Sequence, residues 1–146
     1  MSPDSLKLFS LFAEFSEEDR EAFVELLEER ELPNGKSAFR EGSEGEGLVL
    51  LESGRLKLKS RRTGTIVGLL DAPGHLGAAS LFAFGKREVT ALADGPSKVW
   101  LLPRAGLSRL VADAPQAAFR LAEATAGELA GLLRARLDQL VEDDSE

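Results

Sequence analysis

Short apolar runs separated by glycine-containing turns fill the middle of the chain. Eleven of its fourteen glycines lie between Gly35 and Gly95. The apolar runs lie at 48–51, 56–58, 65–70, 89–93 and 99–102. Turn signals recur at 33–35, 53–54, 63–64, 73–74 and 94–96. Short strands joined by turns at such close intervals are typical of β-sandwiches and barrels, so we expect residues 31–102 to form a β-barrel.

Helical patterns flank the predicted barrel on both sides. Residues 5–30 carry apolar side chains at helical spacing. Ser16, followed by the acidic residues 17–19, predicts a helix start, because a hydroxyl cap and early negative charge both stabilise the first turn. Residues 103–141 predict two further helices. We therefore expect a single domain over residues 1–141.

The C-terminal helices have recognisable boundary signals. Pro103 is expected to open a short helix, and Asp113 to cap a longer one with Pro115 in its first turn. The longer helix is predicted to end near Val141. The tail 142–146 is acidic, and negative charge is unfavourable at a helix C-terminus, so we expect this tail to be disordered.

The composition points to a cytoplasmic protein without disulfides. Cysteine is absent, which excludes disulfide frameworks, thiol catalysis and thiolate metal sites. No apolar run approaches the ~20 residues of a membrane span. The first residues also lack the basic start of a secretory signal. These features predict a cytoplasmic location and no membrane contact.

The charge balance disfavours nucleic acid as a partner. The net charge is −7, and an acidic surface repels a phosphate backbone. Basic residues cluster only at 55–62, where they alternate with Leu56 and Leu58. This alternation predicts the solvent-facing side of a hairpin rather than a binding patch. Direct regulation of DNA would need a basic surface or a reading helix that the sequence does not show.

The last helix carries an apolar seam that predicts self-association. The seam follows alternating three- and four-residue steps, interrupted by Arg136, through Phe119, Ala122, Ala126, Leu129, Leu133 and Leu140. A second apolar flank comprises Leu121, Leu132 and Leu137. A helix that is apolar on two flanks needs two partners, and a parallel second copy is the economical one. We expect a homodimer; the alternative is a helix that lies against its own barrel alone.

Four segments, in order, resemble the family of cyclic-nucleotide-binding domains. They are the aromatic opening at 8–16, the hairpin at 33–43, the Ser53-Gly54 hairpin at 48–58 and the Gly74-His75-Leu76-Gly77 segment. The resemblance covers roughly residues 6–141. The family includes the sensor domains of catabolite-activator and fumarate–nitrate regulators and the regulatory subunits of protein kinase A. It implies a mainly β fold, the cyclic-nucleotide-binding-type double-stranded β-helix (jelly-roll) barrel, with N-terminal helices and a long C-terminal helix.

The resemblance also implies a phosphate-binding cassette after Gly74. In the family, a Gly-Glu pair opens the cassette and the glutamate accepts a hydrogen bond from the ribose; a later arginine pairs with the phosphate. Here Gly77 matches, but Ala78 replaces the glutamate. Arg87 matches the arginine in the register of protein kinase A. In the longer register of the catabolite activator, Glu88 takes that place.

The cassette is therefore retained in outline and altered in chemistry. The candidate ligand-binding residues are Gly77, Ala78, Ala79, Ser80, Arg87, Glu88, Val89 and Thr90. Loss of the ribose contact and the addition of a carboxylate near the phosphate each cost about 1–3 kcal/mol. A competing interpretation makes Arg87 a strand-edge arginine paired to Glu88 or to a loop acid.

Two functions remain open at this point. The first is a stand-alone regulatory domain that acts as a protein-interaction and dimerisation module with degenerate nucleotide recognition. The second is a small-ligand sensor that still binds cyclic AMP, cyclic GMP or another anionic ligand through Arg87 and the amides of the cassette. The chain ends at Glu146 without a helix-turn-helix, so we expect no DNA-binding domain and an unidentified protein partner.

Enzymatic and metal-dependent functions find no support in the sequence. His75 is the only histidine, and we interpret it as an exposed turn residue. The glutamates at 41, 44 and 46 alternate with glycines, but their spacing does not fit a calcium loop. No phosphate-loop motif or Ser–His–Asp arrangement is present. We expect neither catalytic residues nor a metal site.

Overall fold

Eight strands occupy the middle of the chain and helices lie at both ends in a computed structural model, which describes residues 1–144. The strands are β1 (Glu28–Leu32), β2 (Ser37–Phe39), β3 (Gly47–Ser53), β4 (Arg55–Ser60), β5 (Thr65–Asp71), β6 (Gly74–Leu76), β7 (Thr90–Ala93) and β8 (Ser97–Pro103). The helices are α1 (Pro3–Leu6), α2 (Glu17–Val24), α3 (Arg104–Asp113) and α4 (Pro115–Asp144). Two 3₁₀ turns lie at Ser10–Phe12 and Ala78–Leu81, and we call the second the cassette turn.

The strands form two antiparallel four-stranded sheets, in the orders β1-β8-β3-β6 and β2-β7-β4-β5. Alternation along β3 explains how the first sheet acquires two buried faces. Val49 and Leu51 belong to the core between the sheets, whereas Leu48 and Leu50 belong to a second core under the helices. This arrangement is the predicted jelly roll.

Aromatic side chains hold the N-terminal helices to the outer face of the first sheet. The Phe12 ring lies 4.7 Å from that of Phe23 and 5.0 Å from that of Phe15, centroid to centroid. The first half of α4 closes the same core with Leu121, which is fully buried. Arg120 of α4 also pairs with Asp19 of α2 at 2.6 Å. The start of α4 is therefore fixed to the body of the molecule.

The N-terminal helical region ends earlier than the sequence predicts. The expected capping at Ser16 is confirmed. Its Oγ accepts a hydrogen bond from the Asp19 N–H at 3.1 Å, and Oδ2 of Asp19 accepts one from the Ser16 N–H. However, α2 ends at Val24, and 28–30, expected to be helical, lie in β1. The charged residues 28–31 favour a helix locally, but pairing with β8 supplies their hydrogen bonds and overrides that preference.

The C-terminal boundaries also differ from the prediction. Pro115 is the first residue of α4, as expected, but Asp113 is the last residue of α3 and not a cap. Residues 142–144 belong to α4 and do not form a disordered tail, while 145 and 146 lie outside the described residues. No proline or glycine follows Gly131 to end the helix, and an unfavourable charge–dipole term of about 0.3–1 kcal/mol is too small to unwind it.

The basic side chains of β4 lie on the solvent-facing side of its hairpin, as predicted. Leu56 is fully buried, whereas the flanking Arg55 is exposed. Acidic residues neutralise this face through three ion pairs, Arg55–Asp71, Lys57–Asp94 and Arg61–Glu41. Separately, none of the helices within residues 1–144 combines the length and apolar character that a membrane span needs.

Candidate functional site

The cassette turn begins at a glycine that no other residue replaces without strain. Gly77 precedes the turn with φ +78°, in the left-handed region, and its carbonyl accepts from the Ser80 N–H at 2.9 Å. A Cβ at this position would also collide with Nη1 of Arg87. The turn therefore approaches the arginine more closely than a side chain at position 77 would allow.

Arg87 is buried and points into the protein. Its side chain donates from Nη1 to Ser80 Oγ at 3.1 Å and from Nη2 to the Gly47 carbonyl at 2.8 Å. The guanidinium carbon lies 4.2 Å from the centroid of the Phe39 ring. Arg87 also lies before β7, and it donates to Ser80 and Gly47, not to Glu88. The interpretation of Arg87 as a strand-edge arginine paired to an acid is wrong.

The guanidinium of Arg87 is buried near two carboxylates. Burial lowers the pKa of its guanidinium, and the nearby carboxylates Glu46 and Glu88 oppose that shift; an arginine stays charged at neutral pH. Within residues 1–144 its buried Nε has no hydrogen-bond partner. Leaving a buried donor unsatisfied costs about 1–3 kcal/mol, and more for a charged group.

Arg87 and Phe39 together line two small cavities. One has a volume of about 150 Å³ and is also lined by Arg30, Glu44 and Glu46. The other has a volume of about 200 Å³ and is bordered by the cassette, and we call it the cassette cavity. Its further lining residues include Gly77, Ala79, Ser80, Lys86, Glu88 and Val89.

The remaining candidate residues do not line the cassette cavity. Ala78 is buried in the core under the helices and offers no polar side-chain atom where the family has its glutamate. Thr90 lies in β7, and its Oγ1 accepts from the Glu41 N–H at 2.9 Å. The structure thus brings six of the eight predicted residues to one cavity and places Ala78 and Thr90 elsewhere.

Sequence reasoning missed Arg104, which ties the cassette to α3. Its Nε donates to the Ser80 carbonyl and its Nη2 to the Ala83 carbonyl, both at 2.7 Å. The guanidinium also lies 4.0 Å from the ring centroid of the exposed Phe84. A cation at a helix N-terminus opposes the helix dipole, and this conflict was a signal that Arg104 has a tertiary role.

His75 is not the exposed turn residue that the sequence predicts. It lies in β6, its side chain is only 16% exposed, and its Nε2 lies 2.7 Å from Oε2 of Glu128 in α4. This pair joins the strand that leads into the cassette to the long helix. A single sequence gives no sign of it, because 53 residues separate the two partners.

The predicted seam of α4 is open to solvent. Phe119 is 65% exposed, Leu133 61% and Leu140 60%, and Leu129 is also exposed. Ala126 is exposed and Ala122 half-buried. On the second flank, Leu132 and Leu137 are exposed, but Leu121 belongs to the core under the helices.

Comparisons with known proteins identify the family. The family model described as the cyclic nucleotide-binding domain matches residues 29–114. Among solved structures, the chain is similar to the N-terminal domain of a transcriptional regulator from Streptomyces coelicolor A3(2). The identity is 26% and the TM-score 0.80, with 91% of this chain and 95% of that one covered.

Two further structures show the same likeness. The Thermus thermophilus catabolite activator protein is 27% identical, with a TM-score of 0.76, and the match covers 96% of this chain and 63% of that one. The sensor domain of the transcriptional regulator DNR from Pseudomonas aeruginosa shares the fold at 22% identity and a TM-score of 0.74, with 92% and 90% covered. The chain belongs to the cyclic nucleotide-binding domain family.

Proposed function

We propose that this domain is a regulatory module that forms a homodimer through α4 and that has degenerate nucleotide recognition. The observation that carries the proposal is the exposed apolar seam on the second half of α4. The family is one of regulatory binding domains, which agrees with a non-enzymatic role. We also place the module in the cytoplasm, on the absence of cysteine, and assign it a protein partner of unknown identity.

The second half of α4 has no support from its own chain. Thr125 is the last buried residue of the helix, and every described residue from Gly131 to Asp144 is exposed. At 1.5 Å per residue, the part beyond Thr125 is roughly 28 Å long. In proteins, most of the stability of a helix comes from tertiary packing of its apolar face. Packing against another helix would stabilise it.

A second copy of α4 fits the seam better than a polar partner. The exposed side chains at Leu129, Leu133 and Leu140 repeat at the spacing that lets helices pack side by side. A two-fold axis would bring each leucine near its own copy, since a symmetric interface uses the same patch twice. Contiguous exposed apolar surface of this kind is unusual in a monomer.

Degenerate recognition follows from the chemistry around Arg87. Ala78 offers no acceptor for a ribose hydroxyl, and Glu88 places a carboxylate at the cassette cavity. The cavity, at about 200 Å³, is also smaller than the roughly 300 Å³ at which small-molecule pockets begin. These features weaken cyclic nucleotide binding without removing the cassette fold.

Sedimentation velocity tests the dimer. We expect the unmodified protein to sediment as a dimer at micromolar concentration and Leu133→Glu to sediment as a monomer, because two buried carboxylates would face each other across the axis. Ala135→Glu adds the same charge at an exposed position away from the seam, and we expect it to remain dimeric. A monomeric unmodified protein would refute the dimer, and equal behaviour of the two variants would refute the seam.

One observation favours a second function, that of a sensor for an anionic ligand. It is the position of Arg87, a buried cation that lines the cassette cavity and whose Nε has no hydrogen-bond partner within residues 1–144. Arg87→Gln removes the charge but keeps some hydrogen-bonding capacity. Under this function the variant loses ligand binding while its dimer, which α4 forms at a distance, is retained. Loss of the dimer as well would show that Arg87 acts mainly on the fold.

A further inference from the structure

Arg136 interrupts the apolar seam of α4 at a position that continues the spacing of the seam. It comes three residues after Leu133 and four before Leu140, which are the steps that the seam follows. Its side chain is exposed, as are the side chains of both leucines. Any helix that packs along this part of the seam therefore covers Arg136 together with them.

Arg136 has no carboxylate partner within residues 1–144. Its Nη1 donates to Oε1 of Gln139 at 3.2 Å, in the next turn of the same helix. The ion pairs of the described residues do not include it. A guanidinium that apolar side chains cover loses its hydration, and a neutral helix face offers no charge in return. Packing at this point is therefore unfavourable unless the other helix carries a carboxylate.

A second copy of α4 does not supply that carboxylate in either orientation. In a parallel pair, residues of the same number lie opposite each other, so the two copies of Arg136 meet. In an antiparallel pair, Arg136 faces one of four apolar residues instead, namely Phe119, Ala126, Leu133 or Leu140. Asp143 occupies the next position of the seam, roughly 10 Å further along the helix axis, and in a parallel pair it meets its own copy.

The residues beside the seam leave the charge of Arg136 uncompensated as well. Leu132 and Leu137 lie on the second flank next to it, and both are exposed. In a parallel pair, Leu132 of one helix approaches Leu137 of the other, at positions where charged residues often form ion pairs between helices. We call Leu129, Leu133, Arg136 and Leu140 the distal seam, an exposed apolar strip that contains one cation.

We propose that the distal seam is the docking site of an amphipathic helix from another protein, and that this helix has an apolar face with a carboxylate opposite Arg136. The inference rests on the proposed function, which makes the seam an interaction surface and assigns the module a protein partner. It adds the chemistry of that partner and makes Arg136 the residue that selects it.

The selection follows from charge complementarity. A carboxylate on the partner helix accepts hydrogen bonds from the guanidinium of Arg136, whereas a second copy brings two cations together. While the partner helix is absent, a second copy occupies the seam, with each Arg136 side chain turned toward solvent. The homodimer is therefore weaker than the apolar residues of the seam alone would make it.

A mixture of the unmodified protein with its full-length Arg136→Glu variant tests the proposal, because the variant presents the required carboxylate on an otherwise identical helix. Native mass spectrometry of an equimolar mixture counts the two homodimers and the mixed dimer. We expect the mixed dimer to exceed its random share, with an exchange equilibrium constant at least about tenfold above the statistical value.

Sedimentation equilibrium of Arg136→Leu provides a second readout. A leucine continues the seam, so we expect the dissociation constant of the dimer to fall by about tenfold. Arg134 is the matched control, since it is exposed on the same helix but lies outside both the seam and the second flank. Arg134→Glu should form mixed dimers at the random share, and Arg134→Leu should leave the dissociation constant unchanged.

The outcomes separate this inference from the proposed homodimer. Mixed dimers at the random share would refute the selection by Arg136 and leave the homodimer intact. An unmodified protein that is monomeric alone and dimeric in the mixture would refute the homodimer and support the inference. Monomers in every sample, the mixture included, would refute both. An equal preference in Arg134→Glu would contradict the inference, because the net charge of the helix would then drive the pairing.

Discussion

At the scale of single residues, Gly77 and Arg87 define the cassette cavity together. Gly77 has a backbone conformation that other residues rarely adopt, and it leaves room for Nη1 of Arg87. Arg87 in turn donates to Ser80 in the cassette turn. The sequence pattern identified both residues, but it did not show that the arginine is buried, because burial depends on strands that are distant in the chain.

Gly77→Ala is expected to destabilise the protein more than a left-handed backbone alone explains. Strain from a positive φ costs about 1–2 kcal/mol for a residue with a Cβ. Gly64→Ala provides the matched control, because Gly64 has φ +67° and open space around its Cα. Urea unfolding should show a loss of free energy at Gly77 that exceeds the loss at Gly64 by about 1–3 kcal/mol, as expected for overpacking. Equal losses would mean that Arg87 moves away without cost.

Glu41 is expected to make the folding stability of the protein vary with pH in the acidic range. Hydrogen bonds from the backbone and side chain of Arg61 lower its pKa below the ordinary value of 4.5. A carboxyl group with a lowered pKa in the folded state stabilises the protein above the unfolded-state pKa, and this contribution disappears as the pH falls through the folded-state pKa. Urea unfolding of Glu41→Gln should therefore show lower stability than the unmodified protein at neutral pH. The difference should vanish in acid, and a difference independent of pH would contradict the assignment.

At the scale of elements, two contacts connect the cassette to the helices. Arg104 joins the cassette turn to the start of α3, and His75 joins β6 to α4 through Glu128. The second contact lies just beyond Thr125, the last buried residue of α4. Movement of the cassette would therefore act on α4 at the point where the helix leaves the body of the molecule.

Removal of the His75–Glu128 contact is expected to loosen this junction. We expect Glu128→Ala to increase amide hydrogen exchange in β6 and in α4 around Glu128 by about twofold to fivefold, because a single hydrogen bond contributes about 1 kcal/mol to stability. Glu123→Ala is the control, since Glu123 is exposed on the same helix five residues earlier. Equal exchange in the two variants would show that the contact does not hold α4 to the barrel.

At the scale of the whole molecule, local patterns predicted the architecture and long-range contacts determined the details. The glycine-punctuated runs became β3, β4, β5, β7 and β8. The strand β2 lies within the hairpin at 33–43 that the family resemblance indicated. The strands β1 and β6 were not foreseen as strands, because β1 is charged and β6 is only three residues long, and both acquire their structure from pairing. The positions of Arg104 and Glu128 were hidden for the same reason. The apolar seam of α4 was visible because helical spacing is a local property.

The dimer through α4 is the central claim, and disulfide cross-linking tests it most directly. The chain contains no cysteine, so Leu140→Cys introduces a single thiol on the seam. A parallel pair of helices brings two copies of residue 140 together across the axis. We predict nearly complete cross-linking of Leu140→Cys under mild oxidation and little for Ala135→Cys, which lies away from the seam. Equal cross-linking of the two variants, or none in either, would contradict a parallel dimer formed through this helix.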